Sequence, residues 1–260
     1  MKTVAPTLVA PLVALVPVYN HAATVGAVVR ALHSLALPVI LIDDGSDAEC
    51  AAALDALVAE QADSPETSLL RLPENSGKGT AVIAGLREAH ARGYSHALQL
   101  DADGQHDVAA LPTFLGAMRE APQAVIAGFP HYDASVPFGR LLGRYATHVW
   151  VWINTLSFRI RDSMCGLRIY PLAATRQVLD AMPSQSRMEF DTEILVRLDW
   201  GGVPIRNLPV AVSYPPEGVS HFRPWRDNVR ISWMHTRLFF GMLRRLPRLI
   251  ARHISSSEQR

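Results

Sequence analysis

The chain has 260 residues, of which 49% are hydrophobic and 19% charged, so a packed core is possible and wholesale disorder is excluded. Its 25 basic and 24 acidic residues give a formal net charge of +1, which excludes a uniformly basic nucleic-acid-binding protein. The charge is uneven, because residues 221–260 contain nine arginines and only two acidic residues. An acidic body with a basic C-terminal segment indicates two kinds of partner. Cys50 and Cys165 form no CxxC pattern, so neither a disulfide framework nor a structural zinc site is predicted.

The N-terminal segment superficially resembles a signal peptide, because Lys2 is followed by apolar residues from Val4 to Val18. Three prolines interrupt this stretch, and Tyr19 and Asn20 follow it without a small-residue cleavage site. We therefore expect a buried strand over Leu12–Val16. No apolar run reaches the roughly 18 residues of a membrane span, so no transmembrane helix is expected. The two isolated cysteines favour a reducing compartment, so a cytoplasmic location is expected.

The first 130 residues alternate between short apolar runs and amphipathic helical patterns. The predicted strands are Leu12–Val16, Pro38–Ile42, Leu69–Leu72, Ala97–Leu100 and Ala124–Ala127. The predicted helices cover 24–35, 46–61, 78–92 and 107–120, and the second begins at a capping box formed by Ser46 and Glu49. This order predicts an α/β fold with a Rossmann-like, mostly parallel sheet and helices on both faces.

The second half is less regular. Helices are predicted over 138–158, 171–181, 190–200 and 228–253, and strands over Leu167–Tyr170 and Val203–Val212. We divide the chain into a catalytic domain over 1–226 and a basic helical tail over 227–260.

Polar residues follow four of the predicted strands at equivalent ends. They are Tyr19 and Asn20 after the first strand, Asp43 and Asp44 after the second, Asn75 after the third, and Asp101 and Asp103 after the fourth. In parallel sheets, ligands bind beyond the carboxyl ends of the strands. The four clusters therefore predict one binding site at this edge.

The segment Asp101-Ala102-Asp103-Gly104-Gln105-His106 carries the strongest chemical signal. Two carboxylates two residues apart can bind one hard cation, such as Mg²⁺ or Mn²⁺, whose coordination substrate phosphates complete. The alternative is an ordinary polar turn. Upstream, Gly77 and Lys78 lie in Asn75-Ser76-Gly77-Lys78-Gly79, where glycines allow close approach and the lysine offers a charge to a phosphate.

Taken together, these motifs resemble those of glycosyltransferase family 2. The matching segments are Pro17-Val18-Tyr19-Asn20, Asp43-Asp44-Gly45-Ser46, Asn75-Ser76-Gly77-Lys78-Gly79 and Asp101-Ala102-Asp103-Gly104-Gln105-His106. The glutamine after the second aspartate is most similar to the dolichyl-phosphate mannose synthase-like members, and the resemblance covers about residues 9–225. It implies a GT-A fold, a nucleotide-diphosphate sugar donor, a divalent metal and inversion at the anomeric carbon.

The resemblance also implies roles for individual residues. Pro17, Tyr19 and Asn20 would line the nucleobase pocket, and Asp43 or Asp44 would accept a hydrogen bond from the base. Gly77, Lys78 and Ala102 would lie along the nucleotide sugar. The metal ligands would be Asp101, Asp103, Gln105 and His221; the family's mannose synthase-like members usually carry a lysine near His221.

In the second half, Asp162, Cys165 and Gly166 belong to a segment similar to the family's acceptor loop. Asp191 is the favoured general base and Glu193 the second choice, although an acceptor that is itself a phosphate needs no base. Arg140 and Arg144 would contact an acceptor phosphate, and the alternative is that they are surface arginines.

The tail predicts an amphipathic helix with an arginine face beside a broad aromatic and aliphatic face. Arg230, Arg237, Arg244, Arg248 and Arg252 share one side. Such a helix fits the surface of a membrane, and the alternative is packing on its own domain. Pro247 is expected to kink or split it.

The sequence thus predicts a peripheral membrane glycosyltransferase with no nucleic-acid partner. UDP and GDP donors remain open, as do lipid-phosphate, lipid-linked and small hydroxylated acceptors. Two alternatives are a degenerate transferase that serves as a nucleotide-sugar-binding scaffold and a phosphatase in which Asp101 is the nucleophile.

Overall fold

The computed structural model describes residues 11–60, 66–105, 107–131, 138–183, 186–211 and 223–257. The strands are β1 (Leu12–Val18), β2 (Val39–Asp43), β3 (Thr67–Arg71), β4 (His96–Gln99), β5 (Val125–His131), β6 (Arg168–Pro171) and β7 (Ile205–Ala211). The helices are α1 (Ala22–His33), α2 (Ala48–Ala59), α3 (Lys78–Ala91), α4 (Leu111–Glu120), α5 (Phe138–Thr155), α6 (Leu172–Leu179), α7 (Phe190–Trp200) and α8 (Pro224–Ser257).

The described strands form one sheet in the order β3-β2-β1-β4-β6-β5-β7. Only β6 runs antiparallel to its neighbours β4 and β5, and the other pairs are parallel. The prediction of a mostly parallel sheet is therefore confirmed. The strand order reverses at β1, with β2 on one side and β4 on the other, which opens a crevice at their carboxyl ends.

Alternating side chains of β1 place the core on both faces of the sheet. Ala14 and Val16 pack with buried residues of α1, α2 and α4. Val13 and Leu15 pack on the opposite face with residues of α3, α6, α7 and α8. The expected helices on both faces are therefore present, and burial of these apolar side chains is the main stabilising term.

The capping box predicted at Ser46 is wrong by one residue. Helix α2 begins at Ala48, and the Asp47 carboxylate accepts a hydrogen bond from the Cys50 amide at 2.9 Å. The Ser46 hydroxyl instead accepts from the Asn20 amide at 3.1 Å, across to the loop after β1. Ser46 therefore makes a tertiary contact with Asn20, and not the helix-capping contact that the local spacing predicted.

Pro247 does not split the C-terminal helix, because α8 is continuous from Pro224 to Ser257. Met242 and Leu249 are buried on either side of the proline. An ion pair of 2.7 Å between Arg252 and Asp199 fixes the helix beyond it. Packing thus offsets the backbone hydrogen bond that a proline removes.

The proposed boundary between 226 and 227 falls in the first turn of α8, which packs on α5 and α7.

Candidate active site

Three segments that are distant in the sequence meet at the carboxyl edge of the sheet. Lys78 begins α3, Asp101 follows β4, and Asp191 lies in the first turn of α7. The Lys78 Nζ atom is 2.8 Å from Asp101 Oδ1 and 3.1 Å from Asp191 Oδ2. The structure therefore brings together three of the predicted site residues around one ammonium group.

The loop that presents Lys78 is shaped by hydrogen bonds to its backbone. The Asp44 carboxylate accepts from the Ser76 and Gly77 amides, both at 2.8 Å. Gly77 has a φ of +98°, and an added Cβ would lie 2.3 Å from Cγ of Arg187. Arg187 in turn donates to the Asn75 side chain at 2.8 Å. Only glycine fits this position, which explains the glycine before the lysine.

The turn that contains Asp101 and Asp103 is held from two sides. The Thr24 hydroxyl donates to the Ala102 carbonyl at 2.6 Å, and the Gln105 amide donates to Asp103 Oδ1 at 3.0 Å. Gly166 packs directly on Asp101, since an added Cβ there would lie 2.2 Å from Oδ2. Because β6 runs antiparallel to β4, its first residue, Arg168, lies opposite Gln99, the last residue of β4. Gly166, just before β6, therefore lies beside Asp101, just after β4.

The donor chemistry of this turn fits Mg²⁺ or Mn²⁺. Asp101 and Asp103 supply carboxylate oxygens, and such ions are commonly bound by one or two carboxylates together with substrate phosphates and water. Within the described ranges, no group of three or more His, Cys, Asp or Glu side chains could hold a metal. His106 and His221 lie outside the described residues, so the prediction for His221 stays a prediction, as does that for the Gln105 side chain.

The carboxylates of Asp101 and Asp191 stabilise the positive charge of Lys78 at the centre of the site. Burial alone would lower the pKa of Lys78, but Asp101 and Asp191 outweigh it and raise the pKa well above its ordinary value. Lys78 therefore remains a cation throughout the physiological pH range.

The residues predicted to recognise the nucleobase lie together at the ends of β1 and β2. Tyr19 is half-buried, and the exposed Asn20 accepts from the Asp47 amide at 2.8 Å; Pro17 is buried in β1. Asp43 accepts from the Ser46 amide at 2.9 Å and from Arg71 Nε at 2.8 Å. Both carboxylates of the Asp43-Asp44 pair thus order loops of the protein, and their contact with a base stays a prediction.

The segment predicted to form the acceptor pocket is anchored by a buried ion pair. Both oxygens of Asp162 accept from Arg144, at 2.7 and 2.8 Å, and Oδ1 also accepts from the Cys165 amide at 2.8 Å. His148 Nε2 lies 3.4 Å from Asp162 Oδ2. Arg144 thus orders this loop through Nε and Nη2, and its contact with an acceptor phosphate stays a prediction. Arg140 lies in α5, but its side chain is outside the described part of the chain.

The second base candidate, Glu193, points away from the site. Residues two apart on a helix lie about 200° apart, so Asp191 and Glu193 occupy opposite faces of α7. Glu193 is buried between Arg197 and Arg237, at 2.7 and 3.0 Å, where it ties α7 to α8. The structure therefore leaves Asp191 as the acidic residue of this segment that reaches Lys78.

Three site residues were missed by sequence reasoning: Gln99, Tyr170 and Arg187. The Gln99 amide donates to Asp191 Oδ1 at 3.1 Å and accepts from the Tyr170 hydroxyl at 3.1 Å. A glutamine inside the apolar run from Ala97 to Leu100 was the available signal, because a buried amide requires hydrogen-bond partners.

The chain is similar in sequence to one known protein family and to several characterised enzymes. Residues 13–180 match the family described as glycosyl transferase family 2. The chain belongs to this family. One relative is the dolichyl-phosphate beta-glucosyltransferase of Dictyostelium discoideum, which is 26% identical over 215 residues. That match covers 79% of this chain but only 63% of the relative, so the chain spans less than two thirds of it. The undecaprenyl-phosphate mannosyltransferase of Micrococcus luteus is 29% identical over 182 residues, which is 66% of this chain and 71% of that protein.

Solved structures confirm the expected GT-A fold of this family 2 glycosyltransferase. One is glucosyl-3-phosphoglycerate synthase from Mycobacterium tuberculosis in complex with Mn²⁺, uridine diphosphate and phosphoglyceric acid. It superposes with a TM-score of 0.63 at 14% identity, and the match covers 89% of this chain and 78% of that one. This likeness shows the fold, while the ligands named there belong to that enzyme.

Proposed function

We propose that this family 2 glycosyltransferase transfers a sugar from a nucleoside diphosphate sugar to a polyprenyl phosphate, with inversion at the anomeric carbon. The observation that carries the proposal is the meeting of Asp101, Lys78 and Asp191 at the carboxyl edge of the sheet. The names of the two relatives, which specify dolichyl phosphate and undecaprenyl phosphate, support the acceptor class. The match to family 2 removes the reason for the phosphatase alternative.

Asp101 and Asp103 would hold Mg²⁺ or Mn²⁺ against the donor diphosphate. When bound, such an ion neutralises the charge that develops on the departing nucleoside diphosphate. Gly166 and Thr24 fix the turn that carries both carboxylates, so these ligands are preorganised before the donor arrives.

Lys78 would supply a second positive charge to the diphosphate. Its ammonium lies within 3 Å of Asp101 and projects from the first residue of α3, where the helix dipole also favours an anion. A phosphate acceptor is already an anion, so Asp191 need not remove a proton and instead holds Lys78 in place. For a hydroxyl acceptor, Asp191 would be the general base.

We further propose that the enzyme works at a membrane, which it contacts through a surface formed by two of its helices. The aromatic surface consists of exposed side chains of α5 and α8: Tyr145, Val149, Trp150, Ile153, Trp225, Val229 and Trp233. The two sets adjoin where Trp150 stacks on His235, with ring centroids 5.9 Å apart. Arg226 and Arg230 are exposed on the same part of α8 and suit anionic lipid headgroups. None of the described helices combines the length and hydropathy required to cross a bilayer.

A donor panel followed by a transfer assay tests the proposal. UDP-, GDP- and dTDP-sugars are added with Mn²⁺, and the donor that binds raises the melting temperature. That donor, labelled in the sugar, is then incubated with undecaprenyl phosphate in detergent micelles. We expect label in the organic phase with the natural protein and none with Asp101→Asn. Binding of a donor without transfer to any acceptor would favour the scaffold alternative.

A further inference from the structure

A buried row of polar side chains connects β6 and β4 to the site. Arg168, Tyr170 and Gln99 have no exposed surface, although all three are polar. Arg168 and Gln99 are register partners on β6 and β4, and Tyr170 follows two residues later on the same face as Arg168. Burying such groups is unfavourable unless each is hydrogen-bonded, so their arrangement calls for a reason.

The chemistry of the three side chains fixes the direction of every hydrogen bond. A guanidinium can only donate, so Arg168 Nη1 donates to the Tyr170 oxygen at 3.2 Å. The Tyr170 hydroxyl then donates to Gln99 Oε1 at 3.1 Å, which turns the Gln99 amide nitrogen toward Asp191 Oδ1, also at 3.1 Å. Burial raises the pKa of Tyr170 to about 12, so the hydroxyl keeps the proton that it donates.

The same arginine also fixes the backbone of Asp191. Arg168 Nη1 donates to the Asp191 carbonyl at 2.6 Å, and Nη2 donates to the Ser163 carbonyl at 2.7 Å. Asp191 is therefore held by its carbonyl and by Oδ1, which leaves Oδ2 facing Lys78 at 3.1 Å.

We propose that Gln99 and Tyr170 are positioning residues that act through Asp191 to fix the Lys78 ammonium at the diphosphate site. Arg168, which can only donate, fixes the direction of this series of hydrogen bonds, and Gln99 makes the last of them, to Asp191. This role in catalysis rests on the function proposed above, whereas the coupling to Lys78 is a property of the fold that can be tested without any substrate.

The composition of the chain makes a direct test possible. The sequence contains only two lysines, Lys2 and Lys78, so protein labelled with ¹⁵N-lysine gives at most two side-chain ammonium signals. Lys2→Arg assigns the signal of Lys78. We expect Tyr170→Phe and Gln99→Met each to shift and broaden that signal.

Tyr94→Phe is the matched control, because it removes a hydroxyl from a half-buried tyrosine packed against the same core. It should leave the Lys78 signal unchanged. A Lys78 signal that stays at its natural position in both Tyr170→Phe and Gln99→Met would overturn the proposal. Melting curves identify any variant that fails to fold, and Tyr170→Phe, which retains the ring, then decides the test.

The consequence for catalysis is measured with the transfer assay. Tyr170→Phe is expected to lower kcat about tenfold while the KM for the donor changes less than about twofold, because Gln99 loses the hydroxyl that orients its amide toward Asp191. In an Asp191→Asn background the same substitution should have little further effect, since it acts through Asp191. A tenfold loss that persists in that background would show a merely structural role. Absence of transfer by the natural protein would instead overturn the proposed function and leave the NMR result standing.

Discussion

Lys78 is the residue on which the charges of the site converge. Its ammonium pairs with Asp101, a proposed metal ligand, and with Asp191. A metal ion that binds Asp101 must therefore share this carboxylate with Lys78. We therefore expect the lysine to lower the affinity of the empty site for a cation and to raise the affinity of the metal-loaded site for a diphosphate.

Replacing Lys78 by methionine should separate these two effects. Without nucleotide, Lys78→Met is expected to bind Mn²⁺ about tenfold more tightly, because a nearby positive charge is removed. Transfer should fall by about a hundredfold or more, since the positive charge that Lys78 would place beside the diphosphate is lost. Electron paramagnetic resonance of free Mn²⁺ and the transfer assay measure the two quantities. Arg87→Met, at an exposed position of the same helix, is the control. An unchanged Mn²⁺ affinity would contradict the shared-carboxylate account.

At the residue scale, polar residues in the loops beyond the strands were predictable, whereas Gln99 and Tyr170, which lie inside strands, were not. Asp101 and Asp103 follow β4, and Lys78 begins α3 after the loop that follows β3; in both places a polar cluster is itself the signal. Gln99 lies within a strand, and nothing local shows that a side chain from α7 reaches it. Helical periodicity separates Asp191 from Glu193 onto opposite faces, but the sequence does not show which face meets the site.

At the scale of elements, the loop from Asp162 to Leu167 depends on α5 for its shape. Burial alone would raise the pKa of Asp162, but the hydrogen bond from His148 and the Arg144 guanidinium outweigh it and hold that pKa well below its usual range. The folded pKa is lower than the unfolded one. The ion pair therefore stabilises the protein above about pH 4 and loses its effect as the pH falls below that value.

Asp162→Asn tests this anchor. We expect the substitution to lower the free energy of unfolding at pH 7 by about 3 kcal/mol, because it removes the buried carboxylate that accepts two hydrogen bonds from Arg144. The natural protein should lose stability between about pH 5 and pH 2, and the variant should lose less over the same interval. Urea denaturation at a series of pH values measures both. Equal acid dependence in the two proteins would exclude Asp162 as its source.

Predicted and observed elements agree in order and differ at their ends. The sequence located Lys78–Ala91 and Phe190–Trp200 to within a residue or so, because a glycine, Gly93 or Gly201, marks where each helix ends. The start of α2 and the continuity of α8 were misjudged for a shared reason. Contacts with distant residues, Asn20 in the first case and Asp199 in the second, override the local signal of a cap or a proline.

At the scale of the whole molecule, α8 serves two surfaces. Its inner face buries Met234 and Leu238 on the domain, and Arg237 and Arg252 of the predicted arginine face pair with Glu193 and Asp199. The packing alternative is therefore correct for this face. The aromatic surface remains exposed, with Trp225 at 83% and Trp233 at 63% of full exposure. The sequence showed that the helix is amphipathic, but only the fold shows that α5 adds to its exposed face.

Replacing Trp225 and Trp233, the two most exposed tryptophans, tests membrane contact without disturbing the core. Trp225→Ser combined with Trp233→Ser should reduce flotation with phosphatidylglycerol vesicles at least about fivefold, because the apolar area available to the interface falls. The melting temperature should change little. Val108→Ser, an exposed apolar position on another element, should float like the natural protein. Equal flotation of the double variant would contradict the proposed surface.

The proposed activity depends on a divalent ion held by Asp101 and Asp103. Calorimetric titration of UDP and GDP, with and without Mn²⁺, measures this dependence directly for the natural protein, for Asp103→Ala and for Asp107→Ala. Asp107 is an exposed carboxylate four residues further along the chain, so it controls for the loss of negative charge. We predict that one nucleotide binds only with Mn²⁺, and that Asp103→Ala weakens this binding at least about tenfold while Asp107→Ala does not. Mn²⁺-dependent binding of equal strength in Asp103→Ala and the natural protein would contradict the central claim.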